Sequence, residues 1–322
     1  MEKKDLRIVF FGTPDFAVES LQRLVEGGYN IVGVVTMPDK PAGRGHHMYQ
    51  SDVKRYALAQ GLPLLQPVKL KDEAFVEALR SLRADLQIVI AFRMLPEVVW
   101  AMPRLGTFNL HASLLPKYRG AAPINWAVMN GDTETGVTTF FLKHEIDTGD
   151  IIEQRKIPIA RTDNVEIVHD KLMHLGAQMV IDTVDSIIDG TVKTTPQAQM
   201  LTAGQQPTPA PKIFKDTCRI DWNRTAEALY NHVRGLSPYP AAWTEIVDAT
   251  GKAHSTKVFA TGQPQAKPEG ELPGTVTSDG RHLWVACADG RLEITQLQVA
   301  GKKRMPADAF LRGFKIEDAH CD

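Results

Sequence analysis

Cysteine is scarce in this chain. There are three, Cys218, Cys287 and Cys321, in 322 residues. They lie far apart, form no C-x-x-C pair and match no zinc spacing. They therefore offer neither a disulfide framework nor a metal knuckle, and a reducing compartment is expected. Long hydrophobic runs are also missing. The apolar run in MEKKDLRIVFFGTPDF is too short for a signal-peptide core, and no stretch approaches the roughly 20 residues of a membrane helix. The expectation is a soluble, cytoplasmic protein with no membrane partner. No sign of charge dominates: 37 Lys and Arg stand against 38 Asp and Glu. Any polyanion would have to be met by a local patch. Nucleotide signatures are absent as well. FFGTPDFA has one glycine where G-x-G-x-x-G needs three, and no Walker lysine follows it. Gly12 is expected to serve a tight strand-to-helix turn, and no nucleotide cofactor is expected. His46, His47, His144, His169 and His174 show no metal-like pairing with acids, so no catalytic metal is expected either.

What is present is ordinary globular composition, 43% hydrophobic and 23% charged, in a chain long enough for two domains. The first 160 residues alternate between two patterns. LRIVFFG, YNIVGVVT, LPLLQP, ADLQIVIAF and GTFNLH read as strands, most of them buried on both faces. Between them DFAVESLQRLVEGG places Ala17, Leu21, Leu24 and Val25 on one helical face. SDVKRYALAQG and KDEAFVEALRSLR also read as helices. Such alternation predicts a doubly wound, mostly parallel sheet of Rossmann-like α/β class. TGVTTFFLKHEIDTGDIIEQRKIPI reads as two strands joined by a loop. A long helix should follow, capped by Asp163 with Glu166 three residues on, and end at Asp189-Gly190.

KTTPQAQMLTAGQQPTPAPK is polar, rich in Pro, Thr and Gln, and aperiodic. That is linker composition. The expected division is a catalytic domain over 1–190, a linker over 191–211 and a second domain over 212–322. The last part opens with a helix in NRTAEALYNHVRG. AAWTEIV, STKVFATG, HLWVACAD and RLEITQLQVA then read as short strands between turns. They predict a small antiparallel OB-like β-barrel.

Three stretches carry candidate chemistry. In FNLHASLLPKYRGAAPI, period-two alternation puts Asn109 and His111 on one face of a strand. At the carboxyl end of a parallel strand, where ligands collect, an amide and an imidazole aimed at one point can stabilise an oxyanion. The same pair would also suit a histidine hydrogen-bonded at a strand end and an asparagine satisfying a turn. In HEIDTGDII, Asp147 could return to the same sheet edge and orient His111, though DTGD is also an ordinary solvated turn. In PDKPAGRGHHMYQS, Lys40 and Arg44 make a basic loop suited to a phosphate-rich partner, or a plain surface loop.

NLHASLLPKYRGAAPI together with DTGDI resembles the folate-dependent formyltransferases. FFGTPDFAV, PDKPAGRG, LQPVKLKD, APKIFKDTCRIDW and GKKRMPADAFLRG extend the resemblance over residues 6–316, to the branch of that family that formylates the methionine on initiator tRNA. AFRMLPE and FFLKHEIDTGD depart from the family's usual pattern, while the Asp-Thr-Gly-Asp core is kept. The resemblance implies an enzyme that moves a formyl group from 10-formyltetrahydrofolate to the amino group of methionyl initiator tRNA. It implies Asn109, His111 and Asp147 as catalytic residues. Ser113, Leu114, Leu115 and Pro116 would border the folate, with Phe92, Leu95 and Ile146 as further contacts. The loop of Lys40 and Arg44 would enter the acceptor end of the tRNA. Basic and acidic residues nearly balance over 212–322, so the second domain would grip phosphates through a face such as Lys302-Lys303-Arg304. A monomer is expected. A sugar nucleotide as the acceptor, a non-catalytic RNA-binding protein, and a dinucleotide-dependent oxidoreductase, whose glycine fingerprint is absent, are the rival readings.

Overall fold

A computed structural model of the chain describes residues 1–42, 47–201 and 206–322. It contains two compact units. The first is built from residues 1–120, 135–157 and 169–209, the second from 121–134, 158–168 and 210–322.

The strands of the first half are β1 (Arg7–Gly12), β2 (Asn30–Val35), β3 (Lys40–Ala42), β4 (His47–Tyr49), β5 (Leu64–Leu65), β6 (Leu86–Ile90), β7 (Thr107–His111), β8 (Arg119–Gly120), β9 (Glu134–Phe141) and β10 (Ile151–Pro158). The helices are α1 (Asp15–Glu26), α2 (Asp52–Ala59), α3 (Glu73–Ser81), α4 (Glu97–Trp100), α5 (Pro123–Met129) and α6 (Val165–Asp189). Seven strands form one sheet in the order β10-β9-β7-β6-β1-β2-β5. From β7 to β5 the neighbours run parallel. β9 runs antiparallel to β7. The largely apolar, buried strands β1 and β6 follow from cover on both faces. Val9, Phe11 and Val89 pack with Phe75, Val76 and Leu79 of α3 and Val99 of α4. On the other face Gly176 of α6 admits Leu110, whose Cδ2 would lie 2.7 Å from a Cβ at that glycine. Burying each such side chain stabilises the fold by about 1.5–3 kcal/mol.

Gly12 allows the tight passage from β1 to α1 by its size, since a Cβ there would meet the Ala17 Cβ at 2.8 Å and block α1 from β1. One local reading is corrected. The cap of α6 is Asn164, whose Oδ1 accepts the Ile167 N–H at 3.0 Å. The Asp163 carboxylate is already engaged with the Ala160 N–H at 2.9 Å, so the helix starts one residue later than the capping box suggests. It ends at Asp189, with Gly190 in the left-handed region at φ +69°.

The second unit takes its helix pair from distant parts of the chain. α7 (Ala226–Leu236) packs on α5. The Asn125 amide donates to the Gly235 carbonyl at 2.9 Å, and a Cβ at Gly235 would strike Met129. The remaining elements are α8 (Ala307–Leu311), the two-residue strand β11 (Pro209–Ala210), β12 (Ala242–Val247), β13 (Ala253–Thr261), β14 (Val276–Ser278), β15 (Leu283–Ala286), β16 (Arg291–Val299), β17 (Met305–Pro306) and β18 (His320–Cys321). β12 to β18 form an antiparallel sheet in the order β14-β15-β16-β13-β12-β18, with β17 on β16, while β11 pairs with β8. A bridge between Thr275 and His320 and a 2.8 Å hydrogen bond from Cys321 N–H to the Gly274 carbonyl join the last strand to the first. The sheet therefore closes into a barrel, which leaves no long unpaired edge. Its core holds Trp222, Leu229, Val258, Val285, Ile294 and Leu297. No helix among the described residues is long and apolar enough to cross a membrane.

Candidate active site

A row of side chains crosses the first sheet in register: Val35, Phe11, Val89, Asn109 and Phe140. All its members but one are apolar. An amide takes the fourth place, two residues before β7 ends at the carboxyl edge of the parallel strands. His111 stands two residues further along, opposite Thr138 of β9. Among the described residues no hydrogen bond is found for the half-buried Asn109 side chain, so its donors are available.

The imidazole of His111 is buried, and its two nitrogens are treated differently. Nε2 lies 2.8 Å from the carbonyl oxygen of Tyr118. A carbonyl only accepts, so Nε2 carries a proton. Tyr118 adopts the left-handed conformation at φ +60° to bring that oxygen round. Nδ1 is the edge left for chemistry, and it faces the Asp147 carboxylate at 3.8 Å. That is an ion-pair separation, longer than a hydrogen bond. In the doubly protonated imidazole, Nδ1 donates towards this carboxylate. Side-chain exposure is only 8% for His111 and 11% for Asp147, so water screens the pair weakly.

Asp147 is held from the backbone upward. It sits in the left-handed region at φ +53°, and its Oδ2 accepts the Gly120 N–H at 2.9 Å. The neighbouring acid of the turn is turned to other use, since Asp150 pairs with Lys143 at 2.8 Å. His144 and Glu145, where the sequence departs from the family pattern, are exposed.

The other expected site residues fall into three groups. Ser113 is fully buried and donates to the Lys117 carbonyl at 2.6 Å, so its hydroxyl shapes the turn. Leu115 is buried against Phe140 and Ile151, Pro116 is buried, and Leu114 is half-buried. Leu95 is a core residue, with Phe92 packed beside it and edge-on to Phe11 at 5.7 Å. Ile146 is 59% exposed. In the departing AFRMLPE segment the Arg93 guanidinium clasps the carbonyls of Pro67 and Val68. Lys40 is exposed on β3, and Arg44 lies outside the described residues. In the second unit Lys302 and Lys303 are exposed in the turn between β16 and β17. Arg304 is tied to Gln296 and lies 4.3 Å over the Phe259 ring. Among the described residues no group of three His, Cys, Asp or Glu could hold a metal.

Sequence reasoning missed the groups that aim the pair. Tyr118 and Gly120 act through backbone atoms, which leave no side-chain signature. A polar layer beneath the loop was also hidden. Thr138 donates to the Ser113 carbonyl at 2.6 Å, and Gln154 donates to the Leu115 carbonyl at 2.7 Å. No alternation announces it, since Thr138 adjoins Thr139 and Gln154 lies in the polar run Glu153–Lys156.

Residues 6–184 match the family model described as formyl transferase, and residues 212–315 match that of the formyl transferase C-terminal domain. The chain is 65% identical over 320 residues to a methionyl-tRNA formyltransferase of Bacteroides fragilis, covering 99% of this chain and 98% of that one. It is 63% identical over 322 residues to the methionyl-tRNA formyltransferase of Bacteroides thetaiotaomicron, covering 99% of each. Among solved structures it is similar in fold to an N-formyltransferase from Helicobacter canadensis in complex with folinic acid and dTDP-3-aminofucose. The TM-score is 0.66 at 18% identity, over 90% of this chain and 98% of that one. HypX from Aquifex aeolicus in complex with tetrahydrofolic acid gives a TM-score of 0.62 at 21% identity, over 96% of this chain and 47% of that one.

Proposed function

The chain belongs to the formyl transferase family, and we propose that it formylates the α-amino group of methionyl initiator tRNA, with 10-formyltetrahydrofolate as co-substrate. The observation that carries this reading is the buried His111–Asp147 pair beside the available Asn109 amide, at the carboxyl edge of the sheet. This donor set fits an acyl oxygen that gains negative charge. The folate supplies the formyl group.

Asn109 donates from its amide to the formyl oxygen as charge develops there. His111 has given Nε2–H to Tyr118, so it contributes through the Nδ1 edge. The amine, whose pKa near ~8 leaves a useful neutral fraction at pH 7, bonds to the formyl carbon. Asp147 balances the imidazolium, takes the proton released by that amine and passes it towards N10 of the folate as the formyl–N10 bond breaks. One of its oxygens is occupied by Gly120 N–H, and the other remains for that proton. The role of the second unit is to hold the acceptor arm through phosphates, with the exposed Lys302 and Lys303 of the turn between β16 and β17, and Lys40 acts from β3. Ser113–Pro116, Phe92, Leu95 and Ile146 shape the folate side. The catalytic region runs over 1–190 and the tRNA-binding domain over 212–322. The protein acts in the cytoplasm as a monomer.

The test is formyl transfer from labelled 10-formyltetrahydrofolate, with methionyl initiator tRNA and a UDP-amino sugar offered in parallel. Formylated tRNA alone is expected. Loss of one oxyanion donor costs about 100- to 1000-fold in rate, so Asn109→Ala should fall by that factor with an unchanged melting temperature. Transfer to the sugar alone would overturn the acceptor, and near-normal turnover by Asn109→Ala would overturn the site.

A further inference from the structure

Gln197 lies in the middle of the polar, Pro- and Thr-rich stretch whose composition is that of a linker. It is nevertheless 3% exposed, and its side-chain amide is used on every edge. Nε2 donates to the carbonyl oxygens of Asp147 at 2.7 Å and Gly149 at 2.9 Å. Oε1 accepts from Arg119, with Nη2 at 2.7 Å and Nε at 3.2 Å. Few surface connections spend a buried side chain in this way, because ordering it costs conformational entropy that solvated linkers avoid.

The partners explain the arrangement. Arg119 sits between Tyr118, whose carbonyl holds His111 Nε2, and Gly120, whose N–H holds the Asp147 carboxylate. On the other side, Asp147 and Gly149 flank the turn that keeps Asp147 in its left-handed conformation. One amide therefore ties the segment that aims the histidine to the segment that carries the carboxylate. The segment bearing Gln197 is itself anchored, since Thr195 and Ile151 exchange two backbone hydrogen bonds of 2.8 Å. Gln197 opens a short 3₁₀ turn, Gln197–Met200, so the backbone behind the amide is fixed.

We propose that Gln197 is a positioning residue for the reaction, setting the separation between His111 and Asp147 by clamping residues 119 and 147–149 together. The proposal rests on the reading of Asp147 as catalytic. A misplacement of about 1 Å by a group remote from the chemistry can cost about 100-fold in rate. Gln197→Ala is therefore expected to lower kcat roughly 10- to 100-fold, with KM for either substrate changed less than about threefold. Gln197→Glu keeps the shape and the Arg119 contact but loses both N–H donors facing the two carbonyls. It should lose activity as Gln197→Ala does.

The deciding experiment is a double-mutant cycle with Asp147→Ala on the full-length protein, with kcat from single-turnover formyl transfer and the melting temperature recorded for each variant. If Gln197 acts through Asp147, the loss caused by Gln197→Ala vanishes in the Asp147→Ala background. A full 10- to 100-fold loss persisting there would assign Gln197 a general packing role and overturn the proposal alone. So would wild-type kcat in Gln197→Ala when Asp147→Ala is impaired. Should Asp147→Ala itself keep near-normal turnover, the catalytic reading and the proposal would fall together.

Discussion

His232 on α7 offers a stability prediction that does not depend on the reaction. Its ring is 6% exposed, and its one polar partner among the described residues is the Cys218 carbonyl, 3.4 Å from Nε2. Burial lowers its pKa from the ordinary 6.5 to about 4, the Cys218 hydrogen bond offsets part of this, and Arg224 adds to the lowering. The folded protein thus refuses a proton that the unfolded chain accepts between those two values. In that window the unfolded state binds more protons, so stability falls as pH falls. Linkage between the two values gives a loss of about 2 kcal/mol on going from pH 7.5 to pH 5, and about 3 kcal/mol by pH 4. Two carboxylates near the barrel do not confuse the window. Hydrogen bonds from Thr250 and His254 hold Asp248 well below the usual range, and those from His282 do the same for Asp279, so both titrate below pH 4. The assay is guanidinium unfolding at pH 7.5 and pH 5 followed by tryptophan fluorescence. Four of the five tryptophans, Trp126, Trp222, Trp243 and Trp284, lie in the second unit, so the signal reports the unit that holds His232. His232→Gln keeps a donor for Cys218 and cannot titrate. Its stability should change by about 2 kcal/mol less between the two pH values than that of the wild type. If the two proteins lose the same stability, His232 is not kept neutral by the fold and the reasoning fails.

Further outcomes can be checked directly. The cysteines are buried and free; burial raises the Cys218 pKa and pushes Cys287 and Cys321 up to about 12. Because the thiolate is the nucleophile, Ellman's reagent should label none in the native protein and all three in guanidinium; prompt native labelling would contradict this burial. Gly149 has no room for a side chain, because a Cβ would lie 1.6 Å from the Phe141 carbonyl. Gly149→Ala must shift the loop that carries Asp147, so kcat should drop roughly 100-fold while stability falls by only about 1–3 kcal/mol; calorimetry and single-turnover assays separate the two. Lys302→Ala and Lys303→Ala should each weaken tRNA binding and reduce the slope of log affinity against log salt by about 1, measured by filter binding; an unchanged slope would remove that turn from the interface.

Periodicity made much of the architecture legible, because it records burial. LRIVFFG and ADLQIVIAF carry apolar runs, Ile8–Phe11 and Ile88–Phe92, since helices cover both faces of β1 and β6, and the four longest strands of the barrel show themselves between turns. The antiparallel entry of β9 beside β7 was not legible, since strand direction is settled by connections and not by side chains. Asn109 and His111 could be paired from spacing alone, because two residues two apart on a strand must share a face. The return of Asp147 was only one option among turns, since nothing in DTGD records the φ +53° conformation or the Gly120 N–H that holds it. The hardest residue to see was Gln197. Composition reports the average of a stretch, and a Pro-, Thr- and Gln-rich average says solvated. A single buried amide inside that stretch changes the average hardly at all, yet it fixes two carbonyls and a guanidinium beside the His111–Asp147 pair. Burial of one polar side chain in a segment that otherwise avoids burial is therefore the signal to seek. It has an energetic reason to exist only where its hydrogen bonds hold something in place.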